Sequence, residues 1–406
     1  MPSSDAPDEC ERAHEDEREH TTQPKSIHAN LVRGPPPRWQ PRHAFCYRRG
    51  VKPFVVLVLA LLLAPVVHAE ESDESAEHVA ILRRKAERCL SELARAVRRY
   101  DAIAAKVGDG RRHERKRLAW ETARDQANAW LFDEEVFPDP GDRVVTGPME
   151  GYGAAKRLGD EAIASWKKLE GLLDRAVRPL RGLKPKKATA LRAGHVEALA
   201  AFRAALAALP ESQREGLAEP QVDPLAVLFV DLALGDFATV AEAYAGLAPG
   251  WRTLCLFHAY CQAVVVWNER RPFDMEKTAL IGMQGINAYR RALGISPVCH
   301  NAKLVRAAFG HSEEMTKLGY FSHRSPTEGR KTKEERAALE GYTEQLVECI
   351  TGAGGGMRAI EFWKYDGGHH RDMIHPKWKE GGFSTRGPSV YLGGAGEEGC
   401  IPGLRY

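Results

Sequence analysis

The chain lacks several features that would have fixed its class at once. Its 58 Lys and Arg nearly balance 55 Asp and Glu, for a formal net charge of +3. No domain-wide basic field exists to hold nucleic acid. Eight cysteines in 406 residues are too few for a disulfide scaffold, and no two have the CxxC spacing of a cysteine-based zinc site. The longest apolar run, Phe54–Val67, is about 14 residues, short of the ~20 that a helix needs to span a bilayer. No Ser or Cys stands with a His and an orienting acid in a recognisable nucleophile motif. No internal repeat period is visible. The composition, 43% hydrophobic and 28% charged, is that of an ordinary globular chain with a sizeable core.

The first 50 residues are polar and rich in Asp, Glu, Arg, His and Pro, and read either as a disordered leader or as sequence upstream of a true start at Val51. Residues 51–69 combine a basic start, a short apolar core and the small-x-small exit Val67-His68-Ala69. That is the pattern of a secretory signal peptide cleaved after Ala69. The expected location is therefore secreted, periplasmic or cell envelope, with no stable membrane span after cleavage. Six cysteines remain after such cleavage: Cys89, Cys255, Cys261, Cys299, Cys349 and Cys400. Export permits disulfides, but the sequence does not choose among their pairings.

Residues 70–77 read as an acidic linker, and 78–275 as an all-α region. Val79, Leu82, Ala86, Leu90, Leu93 and Val97 recur at three- and four-residue steps, one stripe of an amphipathic helix. Further helices are predicted over about 113–132, 153–180, 188–209, 225–245 and 252–268, with a break at Phe137–Asp142 and a last helix apolar nearly all round. Trp120, Trp130 and Trp166 read as core anchors, and the basic run Arg111–Arg117 as a solvated helix face.

The last third carries chemistry. A helix ending at Gly294 is followed by Asn301, a candidate cap for a second helix that stops at Gly319. A turn then presents His323. Leu346–Ile350 has strand composition with Glu348 inside it. Met357–Tyr365 reads as a helix, and Ser389–Leu392 as a final strand. The segment after Pro376 has no clear Gly-x-Gly strand or aromatic ending, which leaves the final strand open.

In order, Asn287-x-x-Arg290, His311-Ser-Glu-Glu-Met315, Gly319-Tyr-Phe-Ser-His323-x-Ser-Pro326, Arg336 with Gly341-Tyr342, Glu348-x-Ile350 and Trp363 with Gly368-His369-His-Arg resemble the bacterial branch of the CAP superfamily, the SCP/PR-1-like or cysteine-rich secretory protein domain. The resemblance covers about 279–396, and places a CAP domain over 278–406. It implies an α+β fold, a CAP α-β-α sandwich preceded by the all-α region.

It also implies a cleft holding His323, Glu348 and His369, with Asp366 as the second acidic position and His311 facing the same region. Such a set suits a divalent metal such as zinc, a general acid/base pair, or a hydrogen-bonded polar cluster with no metal. Cys349 stands where the family has Asn, and reads as a disulfide partner or core thiol pointing away from Glu348. His370 and His375 are spare histidines, at the surface or competing as ligands. The leading function is a non-enzymatic exported binding module for a metal, a lipid-like ligand or an envelope component. The alternative is a metal-dependent hydrolase using His323, His369 and Glu348. A third reading leaves the CAP domain passive and the helical region active.

Overall fold

The structure, a computed structural model, describes residues 73–131, 150–244, 246–364 and 366–396. The leader, the signal segment, the Phe137–Asp142 break, the side chain of Trp130 and Cys400 lie outside the described residues. Those described all belong to one compact unit, Ala69–Tyr406.

The helical region comprises α1 (Asp73–Ala105), α2 (Glu114–Leu131), α3 (Glu150–Val177), α4 (Pro185–Ala207), α5 (Pro224–Leu234), α6 (Phe237–Tyr244) and α7 (Trp251–Glu269). The first helix starts inside the acidic stretch, before its apolar stripe begins. Where one helix was expected over 225–245 there are two. Gly235 takes a left-handed conformation (φ 80°) and closes α5, a conformation that glycine adopts without a Cβ clash. α1 packs on α4 through Leu93, Val97 and Phe202. The buried rings of Trp120 and Trp166 meet with centroids 5.0 Å apart. α7 is buried on most of its circumference, as its composition predicts.

The C-terminal region runs α8 (Lys277–Ala292), β1 (Cys299–His300), α9 (Ala302–Leu318), α10 (Lys333–Leu339), β2 (Leu346–Thr351), α11 (Gly356–Trp363), α12 (Gly367–Ile374), β3 (Glu380–Ser384) and β4 (Ser389–Gly394). The sheet order is β1-β3-β4-β2, with β1 parallel to β3 and the other pairs antiparallel. Side chains alternate across it. Leu346, Ile350, Val390 and Leu392 face α9 and α10, while Cys349, Phe383 and Tyr391 face the layer of α8, α11 and α12. This is the expected α-β-α sandwich.

β3 is the strand that the sequence hid. Gly381 and Gly382 erase its apolar alternation, and a close approach explains one of them. A Cβ on Gly382 would lie 2.3 Å from the backbone of Leu304 and Val305 on α9. α12 was also missed, because its glycine start reads as a turn; Asp366 caps it by accepting from the His369 amide. Asn301 and Gly319 do bound α9 as predicted. The Asn301 side chain accepts from the Lys303 and Leu304 amides, and Gly319 is left-handed at φ 67°.

The helical region and the sandwich share their cores. Ala292 and Cys299 complete the helical cluster, and Ala123, Ala127 and Ala162 complete the cluster under the sheet. Polar groups close the seam. Trp120 Nε1 donates to Ala292 O at 2.9 Å, Arg291 pairs with Glu170 at 2.8 Å, and Asn268 on α7 both donates to Val298 O and accepts from the His300 amide.

Candidate functional site

β2 is an outer strand, paired only with β4. Glu348 stands on its α9 face and is the centre of the site. The carboxylate is buried and has three partners. Oε2 accepts from His311 Nδ1 at 3.0 Å and from Arg336 at 2.7 Å, and Oε1 accepts from His323 Nδ1 at 2.9 Å. Burial alone would raise this carboxyl. The hydrogen bonds from His311 and His323, then the charge of Arg336, outweigh it and hold the group well below the usual carboxylate range. An ionised Glu348 can only accept. In neutral imidazoles both Nδ1 atoms must therefore carry the hydrogen, which leaves Nε2 of His311 and His323 as lone pairs.

His369 arrives from α12 on the other side. Its ring lies 6.3 Å from that of His323, the planes inclined by 27°. Its Nδ1 is 3.0 Å from Asp366 Oδ2. Burial would raise the Asp366 carboxyl, but the His369 hydrogen bond and charge leave it lowered. Asp366 thus both caps α12 and faces the ring of His369. The His323 side chain is 53% exposed and that of His369 is 22% exposed, so both rings open to solvent. His311 is fully buried, and its Nε2 has no hydrogen-bond partner.

The structure brings the five expected residues into one cluster of contacting side chains, but their roles divide. Both oxygens of Glu348 are taken by side-chain donors, so it orients imidazoles instead of joining them as a third ligand. Among the described residues no group of three or more His, Cys, Asp or Glu side chains is arranged to hold a metal ion. The donor chemistry that remains fits a two-imidazole site in which carboxylates stand behind the rings, a support arrangement common around bound metals.

Arg336 is the residue whose role the motif alone did not reveal. It is buried, and besides Glu348 it donates to the carbonyls of His323, Arg330 and Lys331. One guanidinium thus fixes both the carboxylate and the loop carrying His323. Tyr320 ties the start of that loop to α9 through Glu314 at 2.9 Å. Asp372, also absent from the motifs, lies on α12 one turn beyond His369. Burial pushes its carboxyl up to about 6, against the lowering charges of His369, Lys333, Arg371 and His323.

Other motif residues are structural. Arg290 is fully buried and donates to four carbonyls, those of Ser296, Met373, His375 and Trp378. Burial lowers it to about 10. Asn287 pairs with both backbone groups of Val298. Cys349 is a free thiol in the core, facing away from Glu348. Its Sγ lies 3.7 Å from His369 O, and burial pushes the thiol well above its ordinary value. Cys89, Cys255, Cys261 and Cys299 are also free. His370 is neither a surface residue nor a competing ligand. It is buried, with Nε2 2.9 Å from the Tyr289 hydroxyl. Grooves of about 390 Å³ between α2 and α3 and 330 Å³ between α1 and α4 share no residue with the histidine cluster.

Residues 283–387 match the model of the CAP family, described as the cysteine-rich secretory protein family. The C-terminal region is thus a CAP domain set behind an all-helical region. None of the curated proteins matches the chain. A solved structure of an extracellular SCP-domain protein from Bacillus anthracis is similar at 22% identity and a TM-score of 0.27. The likeness spans 30% of this chain and 43% of that one, too slight to say more about this chain. Among the described residues no helix is long and apolar enough to cross a membrane.

Proposed function

We propose that this chain is an exported, non-enzymatic binding protein whose CAP cleft takes a divalent ion of the zinc class between His323 and His369. The observation that carries this reading is the double engagement of Glu348. By accepting from both Nδ1 atoms it turns the Nε2 lone pair of His323 outward, the form in which an imidazole ligates zinc. Two imidazoles on one tetrahedral ion at about 2.0–2.1 Å have centroids roughly 5.2 Å apart, so the observed 6.3 Å has to close by about 1 Å when the ion binds. A bound ion would supply a fixed positive charge and open positions for an oxygen-bearing ligand. Phe321, two residues before His323, is exposed, an apolar side chain on the same loop available to a lipid-like or envelope ligand.

Hydrolysis at such an ion would need a free general base. Glu348, the carboxylate named for that role, is held by three donors, which argues against it as the base. Export rests on the 51–69 segment.

Elemental analysis of the purified protein tests the reading. About one zinc-class ion per chain is expected in the wild type, and its loss in the His323→Ala/His369→Ala double variant. Equal metal content in the two proteins overturns it.

A further inference from the structure

The buried side of α12 has a connection that the cleft does not explain. His370 is adjacent in the chain to His369 but points the opposite way, into the core. Its Nε2 is 2.9 Å from the hydroxyl of Tyr289 on α8, and the rings lie 5.5 Å apart. Both side chains are buried, at 3% and 4% exposure. The same hydroxyl lies against α3 of the helical region. A Cβ added to Gly159 would stand 2.8 Å from it, closer than a real Cβ approaches an oxygen. Lys364 covers the Tyr289 ring with Nζ 5.0 Å from its centroid. Leu158 and Ala162, on either side of Gly159, pack into the cluster that contains Tyr289.

We propose that Tyr289 and His370 are positioning residues for the cleft, through which Gly159 of the helical region fixes the seat of α12 and with it His369. The argument is steric and directional. Buried side chains move as packed units because interiors are close to crystal density. The hydroxyl fills the space that a Cβ on Gly159 would need, so Tyr289 has little room to retreat toward α3 and the hydroxyl keeps its bond to His370. That bond pins α12 from beneath. The opposite wall of the cleft, the His323 loop, is pinned separately by Arg336. The two imidazoles are therefore held by different parts of the molecule, and the distance between them depends on the helical region. The inference rests on the cleft reading proposed above for its zinc readout, but not for its structural one.

The test uses the full chain and a cycle of Gly159→Ala, Tyr289→Phe and the double variant. Zinc affinity is measured by calorimetry, the urea midpoint alongside it, and the His369 imidazole signals by 15N NMR without metal. In a helix, Gly→Ala is intrinsically favourable by up to about 1 kcal/mol. Gly159→Ala should weaken zinc binding roughly tenfold, in the range for supporting residues, and shift the His369 signals; the crowding outweighs the helix gain and lowers the urea midpoint. Lost stability alone would leave the His369 signals of the folded protein in place. In the Tyr289→Phe background, which lacks the hydroxyl, adding Gly159→Ala should change neither readout. Unmoved His369 signals in both Gly159→Ala and Tyr289→Phe overturn the proposal. If the wild type binds no zinc, the cleft reading fails, and the NMR signals still decide whether α12 is braced.

Discussion

The two halves of this protein are held together by different chemistry. In the CAP domain, buried polar side chains bind specific backbone groups or one another. Arg290 gathers four carbonyls, Asn287 closes on Val298, and Arg336 joins a loop to Glu348. In the helical region the described buried polar side chains are fewer, Asp231 paired with Arg192, His258 with Asp174, and Asn268 at the seam, around rings such as Trp120, Trp166, Phe229 and Phe257. Polar networks are intolerant of substitution because a lost partner strands a desolvated group. Apolar cores accept many residues of similar volume. The CAP half can thus be recognised by residue and spacing, whereas the helical half shows only periodicity.

The sharpest way to break this comparison is to separate the halves. The two shared clusters predict that residues 278–406 alone will not fold to a cooperative structure, because Met283, Ile286, Tyr289 and Cys299 would lose their cover. Circular dichroism and urea unfolding of that fragment check this; a stable, cooperative fragment would show the halves to be independent. Deleting the CAP domain would therefore not test the reading in which it is passive, since cutting away either half exposes the core of the other.

Within the CAP half, Arg290→Met leaves four carbonyls without their donor, two buried and two part-buried, and should cost about 4 kcal/mol in urea unfolding. On the seam, Trp120→Ala should cost about 3–5 kcal/mol, mostly as cavity. A loss below about 1 kcal/mol in either would contradict the assigned role. In the cleft, Glu348→Gln leaves the buried Arg336 charge without its counter-ion and should cost about 3 kcal/mol. It should also weaken zinc binding by about 10–100-fold, which titration calorimetry would detect.

The smallest expected effect is on pH dependence. Burial holds His370 neutral down to about 3 and His300 down to about 4. An unfolded imidazole takes its proton near 6.5. Between these values the unfolded state binds more protons, so stability falls as pH drops from about 6.5 toward 4. Glu348 adds a later loss with the same sign. Its folded carboxyl lies below its unfolded value, so its contribution is full above about 4.5 and declines below that. A His370→Phe variant should flatten the upper part of this profile, and an unchanged profile would contradict the assignment.

Much of the site was legible because its residues sit in short motifs of fixed order. His323, Glu348 and His369 could be placed in one cleft before any distance was known. Their division into outward rings and an inward carboxylate was not legible, because it depends on which nitrogen meets which oxygen. Arg336 showed as a motif position without a role for the same reason. β3 was hidden by glycines whose purpose is the approach of α9, a tertiary fact. His370 read as spare because the residue it meets, Tyr289, is 81 positions away and stands at an unspecified position of the Asn287-x-x-Arg290 motif. The extra break at Gly235 was missed because the apolar pattern of 225–245 runs on through it.

The central claim is that Glu348 sets the tautomers of His311 and His323 and so turns the His323 lone pair to the cleft. Long-range 15N–1H NMR of 15N-histidine-labelled protein, without metal and above pH 7, reads this directly. Both residues should show the Nδ1–H tautomer, and at least one should lose that bias in Glu348→Gln, whose amide keeps a single accepting oxygen. A predominantly Nε2–H signal for His323 in the wild type would contradict the account.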